Sequence, residues 1–228
     1  MRQLAVGDIH GSFKALVTLS EYVPFKGDDV IVTLGDYVDR GPDSQTVLNW
    51  LTRFAERGNL IALRGNHEIM MLEARDSDKS LKQWLGCGGD ATLASYSPLG
   101  DAGKLVDVPE EHWEFLTTQT RAFFETESHF FVHANAYPGC SLEDQPDFML
   151  YWEPFHWPPR HESDKVMVCG HTPQENGRPL SVGHAVCIDT KAWKDGWLTC
   201  LDTTSGKYWQ ANQRGETRWD WLSNESAE

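Results

Sequence analysis

Positive charge is what this chain has least of. Its 228 residues hold 20 Lys and Arg against 34 Asp and Glu, a formal net charge of −14. No basic cluster offsets this, so nucleic acid is disfavoured as a main partner. A single phosphate group is a different case, because bound metal ions supply positive charge locally. Missing too is any CxxC pair. Cys87, Cys140, Cys169, Cys187 and Cys200 are odd in number and scattered, which argues against a disulfide framework or a Cys-type zinc site and fits a reducing cytoplasm. Cys169, Cys187 and Cys200 lie in apolar runs and read as small core residues. No apolar run reaches the length of a membrane span, and no basic segment leads into an apolar one at the start. A cytoplasmic protein with no membrane partner is therefore expected. Repeats and low-complexity tracts are absent, and the length suits one domain over residues 1–228, expected as a monomer.

What is present is concentrated in five fragments. These are Gly7-Asp8-Ile9-His10-Gly11, Gly35-Asp36-Tyr37-Val38-Asp39-Arg40-Gly41, Gly65-Asn66-His67-Glu68, Phe131-Val132-His133 and Gly170-His171-Thr172-Pro173. Each sets a carboxylate, amide or imidazole beside glycine or at the end of an apolar run. Hard oxygen and borderline nitrogen donors of this kind suit two divalent ions, which together polarise a phosphoryl group. Singly, each fragment is weak: a Gly-Asp is more often a turn, and a lone histidine more often a surface or hydrogen-bonded core residue. The information lies in the set. Asp8 and His10 stand two apart on one loop and can face one ion. Asp36 has lone pairs on both oxygens and can bridge two.

The first third alternates strand and helix. Gln3 to Val6, Asp29 to Leu34 and Asn59 to Leu63 read as strands. Helices follow, the first capped by Ser12 with Phe13, Leu16, Val17 and Ser20 on one face. The second starts at Pro42, turns Val47, Leu48, Leu51, Phe54 and Ala55 inward, and stops at Gly58. Such alternation predicts parallel strands with ligands beyond their carboxyl ends, where the first three fragments fall. Residues about 76–120 read as a helical cap, clearest over Asp90 to Tyr96 and Pro109 to Gln119. His112 is expected on a solvent-facing polar helix. Strands return at His129 to Val132, Lys165 to Cys169, His184 to Ile188, Trp197 to Leu201 and Lys207 to Ala211. A turn at Thr204-Ser205-Gly206 joins the last two, and a tail covers about 213–228. The aromatic stretch Glu153 to Asp164 reads as an ordered surface loop in which His156 and His161 are candidates for touching substrate. The many tryptophans of the second half are expected mainly as core and loop anchors.

From residue 4 to about 212, these motifs in this order resemble the phosphoprotein phosphatases among the calcineurin-like metallophosphoesterases, and the short bacterial and bacteriophage members most of all. The resemblance implies an α/β sandwich of two mixed sheets flanked by helices. It implies two divalent ions, Mn2+ with Fe or Zn as alternatives. Asp8 and His10 would bind the first, Asp36 would bridge, and Asn66, His133 and His171 would complete the second. A hydroxide between the ions would attack phosphorus in line. His67 would protonate the leaving oxygen with Asp39 hydrogen-bonded to it, and Arg40, with Asn66, would bind the phosphate. Tyr37 and Val38 read as packing residues and Glu68 as a support behind the ligands.

The sequence departs from that family in three places. The arginine that many short relatives carry two residues after the tryptophan matching Trp152 is Pro154 here, and Arg160 is the candidate replacement. Asn135 and Lys191 stand where glycines are usual. These positions rim the site and bear on substrate choice. The leading expectation is a serine/threonine protein phosphatase acting on phosphorylated protein or small phosphoesters, phosphotyrosine among them. A diadenosine tetraphosphatase or other nucleotide pyrophosphohydrolase is the alternative enzyme, and an inactive regulatory binding module the alternative of another class.

Overall fold

The computed structural model describes residues 2–97 and 102–223. Two sheets form the frame. One has seven strands in the order β12-β11-β10-β1-β2-β3-β4, the other five in the order β5-β6-β7-β9-β8. In the first, β1 (Gln3–Val6), β2 (Val30–Thr33), β3 (Leu60–Leu63) and β4 (Thr120–Arg121) run parallel. They continue antiparallel into β10 (Leu198–Asp202), β11 (Lys207–Ala211) and β12 (Thr217–Trp221). In the second, β6 (His129–Val132), β7 (Val166–Cys169) and β9 (Ala185–Cys187) are parallel. The antiparallel edges are β5 (Phe123–Glu125) and β8 (Leu180–Ser181).

Strand alternation decides what fills each layer. Ala5, Val32 and Leu63 of the first sheet meet Phe131, Val168 and Val186 of the second in a shared central core. Leu4, Val6 and Ile31 point the other way, onto α1 (Phe13–Tyr22) and α2 (Ser44–Ala55). The outer face of the second sheet, with Phe130, Val132 and Met167, packs under α7 (Asp147–Tyr151). The fold is the expected α/β arrangement of two mixed sheets flanked by helices. Helices α3 (Asn66–Glu73), α4 (Asp78–Trp84), α5 (Asp90–Tyr96) and α6 (Glu110–Glu114) occupy the middle of the chain. Residues 98–101, inside the expected cap region, lie outside the described residues.

Several local expectations need correcting. Ser12 stands at the N-cap of α1, but its hydroxyl faces His10 O, and the free Ala15 N–H donates to Gln213 Oε1 instead. The buried face of α1 is Ala15, Leu16 and Leu19. Helix α2 begins at Ser44 rather than Pro42, because Asp43 N–H is used to bond Gly11 O and Gly41 lies against His10 O. His112 is fully buried. Tyr96 O–H donates to its Nδ1, and its Nε2–H donates to Asn49 Oδ1. Residues 217–221, read as part of a tail, pair with β11 as an edge strand, while 224–228 lie outside the described residues. Trp152, Trp157, Trp219 and Trp221 are exposed rather than anchoring.

Candidate metal centre

Every functional side chain sits just past the carboxyl end of a parallel strand. Asp8 and His10 follow β1, Asp36 follows β2, Asn66 and His67 open α3 after β3, and His133 and His171 follow β6 and β7. The loops are held in unusual shapes. His10, Asp36, Asp39, Arg40 and His171 all have positive φ. Backbone strain of this kind persists only where surrounding bonds over-determine it. Glu68 supplies many of those bonds. Its buried carboxylate accepts from Asp36 N (2.8 Å), Tyr37 N (2.7 Å), Val38 N (3.3 Å) and Gly65 N (2.9 Å). This is the supporting role expected for it. A side chain at residue 65 would meet Asp36 Oδ1 and Asp36 N, so glycine is required there. Tyr37 and Val38 are fully buried, as expected.

Hydrogen bonds fix the histidine tautomers, and the tautomers fix which lone pairs face the site. His10 Nδ1–H donates to Val38 O (2.8 Å), which leaves Nε2 as an acceptor. His133 Nδ1–H donates to Leu34 O (2.8 Å), again leaving Nε2. His171 Nε2 lies 3.2 Å from Trp152 O, and a proton on that nitrogen leaves Nδ1 as a lone pair. His133 Nε2 and His171 Nδ1 are then 3.2 Å apart and lie 2.9 and 3.1 Å from Asn66 Oδ1. Asp36 Oδ1 is 3.5 Å from the same His133 nitrogen. Four lone-pair atoms converge there with no proton assigned between them, an arrangement that a cation satisfies.

Asp36 turns its other oxygen away, to 3.3 Å from His10 Nε2. Its two oxygens thus face two neighbouring clusters, one with His133 and His171 and one with His10 and His67. Asp8, on the same loop after β1 as His10, is the remaining carboxylate of the site. Its Oδ2 accepts from His171 N (3.0 Å), while Oδ1 is buried without a hydrogen-bond partner. An orphaned, buried carboxylate oxygen beside imidazole lone pairs fits a metal ion, so the donor set fits two.

The electrostatics agree. Burial pushes the Asp8 carboxyl well above the usual carboxylate range, and the neighbouring Asp189 and Asp36 push it further. Burial acts on Asp36 in the same direction, but His133, His67 and His10 outweigh it and hold that carboxyl well below its ordinary value. Burial lowers His171 to about 4, with His133 adding repulsion, so the ring is neutral near pH 7 and free to ligate. Crowded buried carboxyls of this kind become ionised when cations sit among them.

His67 is held differently. Its Nδ1–H donates to Asp39 Oδ2 (2.6 Å), leaving Nε2 toward Asp36 Oδ2 at 4.0 Å. Asp39 in turn accepts from Trp84 Nε1 and from Thr92 Oγ1 (2.7 Å). Arg40 Nη1 donates to His10 Nε2 (2.8 Å), so its guanidinium lies over the first cluster. All the sequence-derived site residues are therefore brought together. Arg160 is not among them: it is exposed and pairs with Asp164 at 3.8 Å, on a loop pointing to solvent. His161 is buried against Cys140 O and Ser163, and has no face free for a substrate. Asn135 ties the loop down through Nδ2–H to Pro154 O.

Three participants escaped the sequence reading. Trp84 and Thr92 reach Asp39 from the middle helices and carry no local signal. Asp189, buried at the end of an apolar run like Asp8, carried one that went unused; its Oδ1 accepts from Lys191 N and its Oδ2 has no partner.

The serine/threonine-protein phosphatase 1 of Salmonella typhimurium is 43% identical over 91 residues, covering 37% of this chain and 38% of that protein. The symmetrical bis(5'-nucleosyl)-tetraphosphatase of Pseudomonas fluorescens is 33% identical over 108 residues, 47% of this chain and 35% of that one. The chain thus spans little more than a third of the length of these curated relatives. Among solved structures, the cold-active protein-tyrosine phosphatase of a psychrophilic Shewanella superposes with a TM-score of 0.59 at 18% identity, covering 96% of this chain and 80% of that one. The pattern of the calcineurin-like phosphoesterase family covers residues 1–194, which takes in every ligand candidate from Asp8 to His171, and the chain belongs to that family.

Proposed function

We propose that the protein is a metal-dependent phosphomonoesterase acting on phosphoserine or phosphothreonine and on small phosphoesters. The observation that carries this is the split of Asp36, whose two oxygens face two separate sets of imidazole lone pairs beside a His67–Asp39 pair and a guanidinium. Asp8, His10 and Asp36 would hold one ion, and Asp36, Asn66, His133 and His171 the other. When bound, the two ions polarise the phosphoryl group and activate water for in-line displacement.

The chain's own residues do the rest. Arg40 grips two phosphoryl oxygens with its planar fork, and the Asn66 amide faces the same group. Asp39, fixed by Trp84 and Thr92, holds His67 in one tautomer and one orientation. The imidazolium form, with a second proton on Nε2, is then placed to give that proton to the leaving oxygen and return to the neutral ring. A dinucleoside tetraphosphate asks for cations along several phosphates, whereas among the described residues Arg40 is the guanidinium bonded to a site residue, and Arg160 is paired elsewhere.

The test is a substrate panel on protein stripped with chelator and reloaded with Mn2+. Phosphopeptides and p-nitrophenyl phosphate should be hydrolysed only after reloading, and well ahead of a dinucleoside tetraphosphate. Preference for the tetraphosphate would replace this reading with the nucleotide one. No turnover of any substrate by protein shown to hold both ions would point to a binding module.

A further inference from the structure

Arg40 is held in an unusual way for a group assigned to grip substrate. Among the described residues it has no carboxylate within ion-pair distance, and its backbone is left-handed at φ 67°. Two loops from different parts of the fold clamp it. On one side is the turn Leu85–Gly89. Gly88 O accepts from Arg40 N (3.1 Å), and a Cβ at residue 88 would come within 2.9 Å of both Arg40 Cγ and Arg40 N. The arginine stem therefore lies flat on Gly88. On the other side is Trp193, whose ring face lies 5.3 Å from the guanidinium carbon.

Trp193 is carried by a closed loop between β9 and β10. Trp197 N donates to Thr190 O, Thr190 Oγ1 donates to Trp197 O, and Lys194 N donates to Lys191 O. Gly196 fits because any Cβ there would strike the carbonyl oxygens of Thr190 and Lys191. The loop is fastened to the site by Lys191 N donating to Asp189 Oδ1. A loop closed in this way presents Trp193 in one place. Its indole N–H is buried and has no acceptor among the described residues. An unpaired buried donor costs stability, so the N–H does not explain why tryptophan stands there. The ring face does, because it is the surface that meets the arginine.

We infer that Trp193 is a positioning residue for substrate phosphate, acting through Arg40 by a cation–π contact that keeps the guanidinium at the edge of the His10 cluster, off the Nε2 lone pair once an ion takes it. This rests on the reading of Arg40 as the phosphate-binding arginine. Without the ring, the exposed guanidinium is free to leave the site on its long stem, and the phosphate loses its preformed fork.

The experiment is a double-mutant cycle on Mn2+-loaded protein with two readouts: calorimetric binding of inorganic phosphate, and KM against kcat for p-nitrophenyl phosphate. Trp193→Leu keeps an apolar side chain but has no π face. It should weaken phosphate binding and raise KM about five- to tenfold, the scale of a partly desolvated cation–π contact, while kcat falls much less. Trp193→Phe keeps a ring and drops the unpaired N–H, and should stay within about twofold of the wild type. In an Arg40→Ala background the Leu substitution should cost nothing further. If Leu and Phe behave alike, or if the Leu loss persists undiminished in Arg40→Ala, the inference is overturned. If Arg40→Ala binds phosphate as the wild type does, the fault lies with the arginine's role and the inference falls with it. Thermal melts of each variant separate these outcomes from unfolding.

Discussion

His67 is the residue at which position and chemistry are easiest to tell apart. Its Nδ1 is committed to Asp39, and only Nε2 faces Asp36. His67→Asn should therefore leave two ions bound, as read by metal analysis, while lowering turnover of alkyl phosphates by roughly 10²–10⁴-fold. The loss should be smaller for aryl phosphates, whose leaving group needs less protonation. Equal losses would move His67 from proton donor to phosphate binder. Side chains of this kind were legible in the sequence because each is fixed by a short glycine-flanked motif after a strand. Trp84, Thr92 and Trp193 were not. Their partners, Asp39 and Arg40, lie 45 or more residues away in sequence, and nothing local announces them. Arg160, a candidate replacement with a solvated surface residue as its alternative, follows the alternative for the opposite reason. Nearness in sequence to Pro154 suggested a takeover, but the loop between them is pinned by Phe155 N donating to Thr172 Oγ1, and it leaves Arg160 facing Asp164.

At the scale of elements, α6 shows how docking overrides composition. Glu110 to Glu114 is one polar turn, so the sequence favours solvent. The fold instead lays it against α2 and α5, and His112 becomes a buried link between Tyr96 and Asn49. Both ring nitrogens are used by the neutral form, and burial lowers the His112 pKa from its ordinary value. The sign follows from linkage. Below the unfolded-state value of about 6.5 the unfolded chain takes up a proton that the folded chain resists, so stability falls as pH drops from there toward the folded-state value. Melting temperature measured from pH 7.5 to 5 should decline, and His112→Asn, less stable at pH 7.5, should decline less steeply over that range. Parallel slopes would remove His112 from the acid response. The shortest strands were illegible on other grounds: β4 and β8 have two residues each, too few to show any period. β12 was read as tail because Thr217, Arg218 and Asp220 are polar, yet pairing with β11 and Lys207 lying over Trp219 are enough to seat it.

Over the whole molecule, the centre joins two sheets whose apolar faces also meet in the central core. Asp36 and Asn66 come from the first sheet, His133 and His171 from the second. Ions bound there stabilise the native state alone, by about 2.7 kcal/mol when free metal is a hundredfold above its dissociation constant. In a chain of this size that should raise the melting temperature by about 5–10 °C over chelated protein. Asp36→Asn should abolish the rise, because its charge serves both clusters. His171→Ala should keep part of it, since His10, Asp8 and Asp36 remain. A full rise in Asp36→Asn would show that the carboxylate does not bridge.

The bond from His171 N to Asp8 Oδ2 spans 163 residues, and Leu4 of the first strand pairs with Asp202. On the ribosome, β1 is made first but gains its antiparallel neighbour only after some two hundred residues have been added. A chain that stops short of His171 lacks part of the ligand set. Ions held by all six residues therefore report that both sheets have been made at least as far as the loop after β7, and that the first loop of the chain has met the later ones.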